Sequence, residues 1–124
     1  MEFLDRIICG DARSVLQELP DACVDTIITS PPYFQQRDYA DPRQVGRERQ
    51  PQDYAQSLVN LFRESRRILK SQGTLWLNMG DKYKDGRLLG LPWRVALALI
   101  DDGWLLRSDI IWHKPNAMPH SVKN

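Results

Sequence analysis

Cysteine, glycine and charge of a single sign are all scarce in this chain, and each scarcity excludes something. There are two cysteines in 124 residues, Cys9 and Cys23. Their spacing fits neither a metal site nor a secreted disulfide framework. His113 and His120 are equally far from metal-ligand spacing. The seven glycines stand at 10, 46, 73, 80, 86, 90 and 103, and no two form a Gly-x-Gly turn. No apolar run approaches the length that spans a membrane. Residues Met1–Asp5 carry no signal-peptide pattern, so a cytoplasmic location is expected. Seventeen basic and 16 acidic side chains leave a net charge of +1, so any nucleic-acid surface has to be local. Apolar residues at 42% suffice for a core, and the length predicts one domain at most.

The most informative stretch is Thr29-Ser30-Pro31-Pro32-Tyr33-Phe34. It follows Val24–Ile28, a run with the pattern of a short buried strand. Each proline fixes its own φ, lacks an N–H and drives the preceding residue out of the helical region. The strand therefore ends in a stiff extended corner, rich in carbonyl oxygens, with one hydroxyl (Ser30) and few donors. An aromatic ring, Tyr33, follows at once. Acceptors beside a ring suit a flipped nucleobase that carries an exocyclic amine.

Ser30-Pro31-Pro32-Tyr33 after an apolar strand resembles motif IV of the DNA amino-methyltransferases, which methylate cytosine N4 or adenine N6. Three further stretches resemble the same family: Asp5–Ala12, Gly73–Asp81 and Asp109–Asn116. Their order is that of its permuted beta group, in which the catalytic motif precedes the cofactor-binding glycine loop. The resemblance covers nearly the whole chain. It implies an α/β fold, an incomplete Rossmann-like S-adenosylmethionine-dependent methyltransferase with a three-layer, mostly parallel sheet. It also implies S-adenosyl-L-methionine as cofactor and double-stranded DNA as partner.

The periodicity supports such a sheet. Strands are expected at Arg6–Cys9, Val24–Thr29, Thr74–Met79 and Trp104–Trp112. Helices are expected over Ala12–Leu19, from an Asp53 cap to a Gly73 stop, and from Pro92 to Gly103. Strand, helix, strand is a right-handed crossover unit, and ligands sit at the carboxyl ends of its strands. Asp11, Ser30 and Asp81 all fall at such ends. Asp11 reads as a helix N-cap, as a cofactor contact, or as both. The resemblance makes Asp81 a second cofactor-side candidate.

The expected core face of the second helix is Tyr54, Leu58, Leu61, Phe62, Ser65, Ile68 and Leu69, with Arg63, Arg66 and Arg67 as a solvated face. Trp93, Ala96, Leu97 and Ile100 are expected to face inward on the third. Cys9, Trp76, Trp93 and Trp104 also read as core. Residues 34–52 form a long polar segment carrying Arg37, Arg43, Arg47 and Arg49. It is expected either to hold the DNA backbone or close over a base, or to be a plain surface loop.

Further expectations follow from the family. Ser30, Pro31, Pro32 and Tyr33 would be catalytic. Phe34, Arg37, Trp112, Lys114 and Asn116 would line the base pocket or contact DNA, the last three within the motif VIII match that runs on to Pro119. A serine at the head of motif IV resembles the cytosine-N4 enzymes. Adenine N6 is the alternative, and a non-catalytic remnant binding nucleic acid or a partner chain is another.

The chain contains neither the family's glycine loop nor its target-recognition region. It therefore reads as residues 1–124 of an amino-terminal portion, with a second chain as one way to supply the rest. Of its four expected strands, only those at Val24 and Thr74 are neighbours in the family's sheet. Those at Arg6 and Trp104 would lack partners.

Overall fold

The computed structural model describes residues 2–116 and contains seven elements. They are α1 (Ala12–Glu18), β1 (Val24–Thr29), α2 (Pro51–Ile68), β2 (Leu69–Leu77), β3 (Tyr83–Lys84), β4 (Arg87–Leu88) and α3 (Leu91–Asp101). β1 and β2 pair in parallel, with Thr26 opposite Thr74 and Thr29 opposite Leu77. These are the two strands expected to be neighbours.

One face of the pair, with Ile27, Thr29, Leu75 and Leu77, turns towards the helices, and both leucines pack on the core. The other face, with Thr26, Ile28, Thr74 and Trp76, is exposed. The core lies between α2 and α3: Tyr54, Ala55, Leu58, Val59 and Phe62 meet Leu91, Val95 and Leu99, with Phe34 among them. None of the helices among the described residues is long and apolar enough to cross a membrane.

The strands expected at Arg6–Cys9 and Trp104–Trp112 are not formed. Ile7 is fully exposed, and so largely are Leu105, Ile110, Ile111 and Trp112. A strand is held by its neighbour's N–H and C=O groups, and these two segments have no neighbour to pair with. Cys9 is accordingly exposed rather than core.

α2 begins earlier than expected. Pro51 takes the first helical position behind Gln50, and Asp53 lies inside the first turn rather than capping it. α2 ends at Ile68 because Leu69 turns extended, with φ −71° and ψ 138°. Gly73 is therefore not a left-handed helix stop. It sits within β2, at the irregularity where the register skips, and a Cβ there would lie 2.8 Å from the Leu69 side chain and 3.2 Å from the Asp25 carbonyl.

α3 buries a different face from the one expected. Leu91, Val95 and Leu99 point inward, while Trp93 is 63% exposed and Leu97 and Ile100 face out. Trp76 is also half exposed, and only Trp104 packs against the core. The segment before α3 is a hairpin, with Asp85 and Gly86 both at positive φ in the two-residue turn.

The arginines of α2 are not a free solvated face. Arg67 donates to the carbonyls of Leu16 and Leu19 at the end of α1, and pairs with Asp21 and Glu64. Arg63 and Arg66 both pair with Asp102 at the end of α3, and Arg66 lies over the Trp104 ring. The three side chains fasten α1 and α3 to α2.

Candidate functional site

The parallel pair delivers two chain ends side by side. Asn78 N–H donates to the Thr29 carbonyl at 2.9 Å, extending the pairing just beyond β1. Past that bond the ladder gives way to a divergence of course, with Ser30–Phe34 following on one chain and Met79–Asp81 on the other, the two still in touch through Tyr33 and Gly80. Such a divergence at the carboxyl ends of parallel strands is where an α/β sheet takes ligands.

The corner is braced from behind. Phe34 is only 1% exposed and packs against Tyr54, ring centroids 5.6 Å apart. It anchors the corner in the core and is not open to a base, which corrects its expected place in a base pocket. The Tyr54 hydroxyl donates to the Pro32 carbonyl at 2.7 Å. Burial pushes that hydroxyl's pKa up, so it stays a protonated donor. Gln35 N–H donates to the Gly46 carbonyl at 2.6 Å, and Gln35 Nε2 to the Glu48 carbonyl at 3.0 Å, closing the base of the following loop. Gly46, at φ +107°, lets this loop approach: a Cβ there would stand 2.9 Å from the Tyr33 carbonyl.

Most carbonyls around the corner already have donors. The Thr29 carbonyl is taken by Asn78, the Pro32 carbonyl by Tyr54 and the Tyr33 carbonyl by Gln36. No donor among the described residues reaches the carbonyls of Ser30 or Pro31. Ser30 is exposed and Pro31 is buried. The Ser30 hydroxyl has one contact, a donation to the Tyr33 hydroxyl at 3.5 Å, long for an O–H···O bond. The corner thus keeps two carbonyls without a donor and a nearly free hydroxyl, and the half-buried Tyr33 ring that follows rests against Gly80.

The carboxylates expected near a cofactor are both engaged. Asp11 caps α1, accepting from Arg13 N–H at 3.0 Å and from the Arg13 guanidinium. That guanidinium holds the Asp11 carboxyl down at about 2. Asp81 accepts from the backbone N–H groups of Lys82, Gly90 and Leu91, and so caps α3 across the hairpin. Two open surface cavities lie elsewhere. One, about 420 Å³, is lined by Arg13, Arg43, Glu48, Asn60 and Glu64 among others, and the second lies at Asp25 and Lys70–Gly73. The described residues therefore do not fit a cradle for S-adenosylmethionine on their own.

Arg37, Arg47 and Arg49 make no ion pair among the described residues, whereas Arg43 is held by Asp41. Trp112, Lys114 and Asn116 are exposed on the unpaired segment and are not brought to the corner by any strand. The end of the motif VIII match, 117–119, lies outside the described residues, as does His120. Among the described residues no group of three or more His, Cys, Asp and Glu could hold a metal.

Comparison with known proteins bears on this geometry. A family profile of DNA methylases matches residues 24–124. The chain belongs to the N6/N4 DNA methylase family. The type II methyltransferase M.SmaI of Serratia marcescens is 43% identical over 96% of this chain and 51% of its own length. M.Cfr9I of Citrobacter freundii is also 43% identical, over 93% of this chain and 48% of its own. M.MwoI of Methanothermobacter wolfeii reaches 47% over 96% of this chain, which is 18% of that protein. The crystal structure of TTHA0409 from Thermus thermophilus, assigned as a DNA modification methylase, superposes with a TM-score of 0.67. It is 28% identical and covers 91% of this chain and 48% of that one. The chain thus spans about half the length of several relatives it matches. The superposition agrees with the α/β, parallel-sheet fold of a methyltransferase. Family membership implies a methyl donor.

Proposed function

We propose that this segment is the base-accepting part of a site-specific DNA methyltransferase of a restriction–modification system, one that methylates the exocyclic N4 of an extruded cytosine. The observation that carries the proposal is the uncommitted carbonyl of the buried Pro31, beside a Ser30 hydroxyl whose one contact is the long one to Tyr33. A buried carbonyl without a donor is unfavourable unless a ligand or water supplies one. An exocyclic amine brings two N–H donors at a fixed angle.

The amine of cytosine is a weak nucleophile because its lone pair is delocalised into the ring. Two hydrogen bonds accepted by the Ser30 hydroxyl and the Pro31 carbonyl draw the amine towards a pyramidal geometry and free its lone pair. Tyr33 holds the base by stacking, a positional contribution. Ser30 is too weak a base to remove the proton beforehand; the donor would supply the methyl group by cleavage of its own sulfur–methyl bond, leaving a neutral thioether, and the cationic methylated amine would then lose its proton to water. Within this proposal S-adenosyl-L-methionine is the donor, and the remaining length seen in the relatives would complete its site. Asp11 is retained as a candidate donor contact. Asp81 would act on the site through α3, whose N-terminus it caps. Arg37, Arg47 and Arg49, loop arginines without an ion pair among the described residues, would take DNA phosphates, and Trp112, Lys114 and Asn116 would join the pocket once their segment is paired.

The test is made in the complete enzyme, as one polypeptide or reconstituted from two. Methylated DNA is digested to nucleosides and analysed by mass spectrometry. N4-methylcytosine is the expected product, and N6-methyladenine would overturn the choice of base. Ser30→Ala is expected to abolish most single-turnover methylation while leaving DNA affinity unchanged. A rate close to the parent's would remove Ser30 from the reaction path.

A further inference from the structure

We infer that Gly80 is a positioning residue for the Tyr33 ring. The inference rests on the base-accepting role proposed above and adds to it the surface that sets the ring's angle.

Gly80 lies three residues beyond Leu77, on the chain end beside the Ser-Pro-Pro corner. Its backbone does not require glycine, because its φ is outside the positive region that four other glycines occupy. What requires glycine is space. A Cβ at this position would stand 2.9 Å from Tyr33 Cε2, 3.2 Å from Cδ2 and 3.4 Å from Cζ. All three atoms belong to one side of the ring, so the bare backbone of residue 80 is the seat on which Tyr33 rests. The hydroxyl carried on Cζ has, in addition, the long Ser30 contact at 3.5 Å. The seat is therefore the firmer of the two restraints.

The seat also explains the use of Asp81. Its carboxylate takes three backbone N–H groups from Lys82, Gly90 and Leu91. That fixes the backbone immediately after Gly80 to the start of α3, whose first residue is in the core. The ring that would stack on a base is thus referenced to the core through Gly80 and Asp81.

Gly80→Ala tests this cleanly. Alanine suits the backbone, and the atoms it would crowd belong to a half-exposed ring that can swing away. The fold should survive while Tyr33 moves. In the parent chain, nuclear Overhauser contacts are expected between the Gly80 α-protons and the Tyr33 ring. In Gly80→Ala the Tyr33 ring resonances should shift while those of the α2–α3 core do not.

In the complete enzyme, Gly80→Ala should slow single-turnover methylation by on the order of tenfold to a hundredfold, the scale of a small misplacement of a reacting group. In a Tyr33→Ala background the same substitution should cost almost nothing further, because the ring it displaces is gone. An equal loss in both backgrounds, or absent ring contacts, would overturn the role of Gly80 and leave the role of Tyr33 standing. A Tyr33→Ala enzyme as fast as the parent would instead refute the stacking role on which the inference rests.

Discussion

Replacing Tyr54 with phenylalanine removes one oxygen atom and tests how the corner is held. The ring would stay packed on Phe34 in the core, so the apolar burial is retained. The loss is the 2.7 Å bond to the Pro32 carbonyl. A typical protein hydrogen bond contributes about 0.5–1.5 kcal/mol net, and stranding a buried acceptor costs about 1–3 kcal/mol. Pro32 is only half-buried, so water can replace part of the bond and the lower figure applies. We expect about 1 kcal/mol, which for a chain of this size lowers Tm by about 3–5 °C. Urea unfolding followed by circular dichroism should give a lower midpoint at an unchanged m-value.

The second consequence concerns the acceptors at the corner. With the Tyr54 hydroxyl gone, Pro32 joins Ser30 and Pro31 as a carbonyl without a donor, and the corner loses its fixed depth. In the complete enzyme the methylation rate should fall while DNA affinity is unchanged. Tyr54→Ala is no substitute, since emptying an aromatic site in a core costs about 3–5 kcal/mol and threatens the fold itself. If Tyr54→Phe left the unfolding midpoint, the carbonyl resonance of Pro32 and the rate all unchanged, the bracing argument would be refuted.

Two further predictions concern other parts of the site. Asp11, held at about 2 against an ordinary 3.8, is the stronger cap and Arg13 partner when ionised, so the stability that its charge adds is complete above the ordinary value and is lost as the pH falls towards 2; a carboxyl-carbon NMR titration with a midpoint near 4 would contradict the Arg13 pairing. Tyr33→Phe should be mild and Tyr33→Ala severe for methylation, because base–aromatic stacking is worth about 1–3 kcal/mol and resides in the ring face; equal damage from both would point to the hydroxyl that Ser30 contacts.

Much of the fold was legible where local signals act alone. The apolar run before two prolines became β1 at the expected boundaries, and the Asp11 cap and the course of α1 followed from a short amphipathic pattern. Failures came where a second segment decides. Ile7, Ile8, Ile110 and Ile111 have strand composition, yet composition cannot supply the neighbour that makes a strand. α3 is apolar around most of its circumference, so periodicity alone could not say that Val95 rather than Trp93 faces α2. Arg63, Arg66 and Arg67 looked like a solvated stripe because their partners, Asp21 and Asp102, are remote in sequence. The Asp85-Gly86 hairpin was within reach, since Asp-Gly between short β-like runs is the signal for this turn. At the site itself the corner could be read, but its bracing by Tyr54, Gly46 and Gly80 could not. Each of those contacts depends on a glycine or hydroxyl whose purpose is invisible until the two chain ends meet.

Within the proposed mechanism, the bracing bears on why a neutral serine would suffice at this corner. A carboxylate there would accept the amine's hydrogen bonds more strongly, but it would add a negative charge beside the acceptor carbonyls of the same corner. Here the flanking carbonyls of Thr29 and Pro32 are tied off by Asn78 and Tyr54. The acceptors left over are confined to two consecutive residues, and the double proline restrains the backbone between them. Because the acceptors are held in place before the ligand arrives, little reorganisation is needed when an amine docks, which is the condition under which weak neutral dipoles act effectively on a reacting group. The strength that Ser30 lacks as a base is therefore offset by position. Position in turn depends on the buried Phe34–Tyr54 pair behind the corner and on the unencumbered backbone of Gly80 beneath the ring.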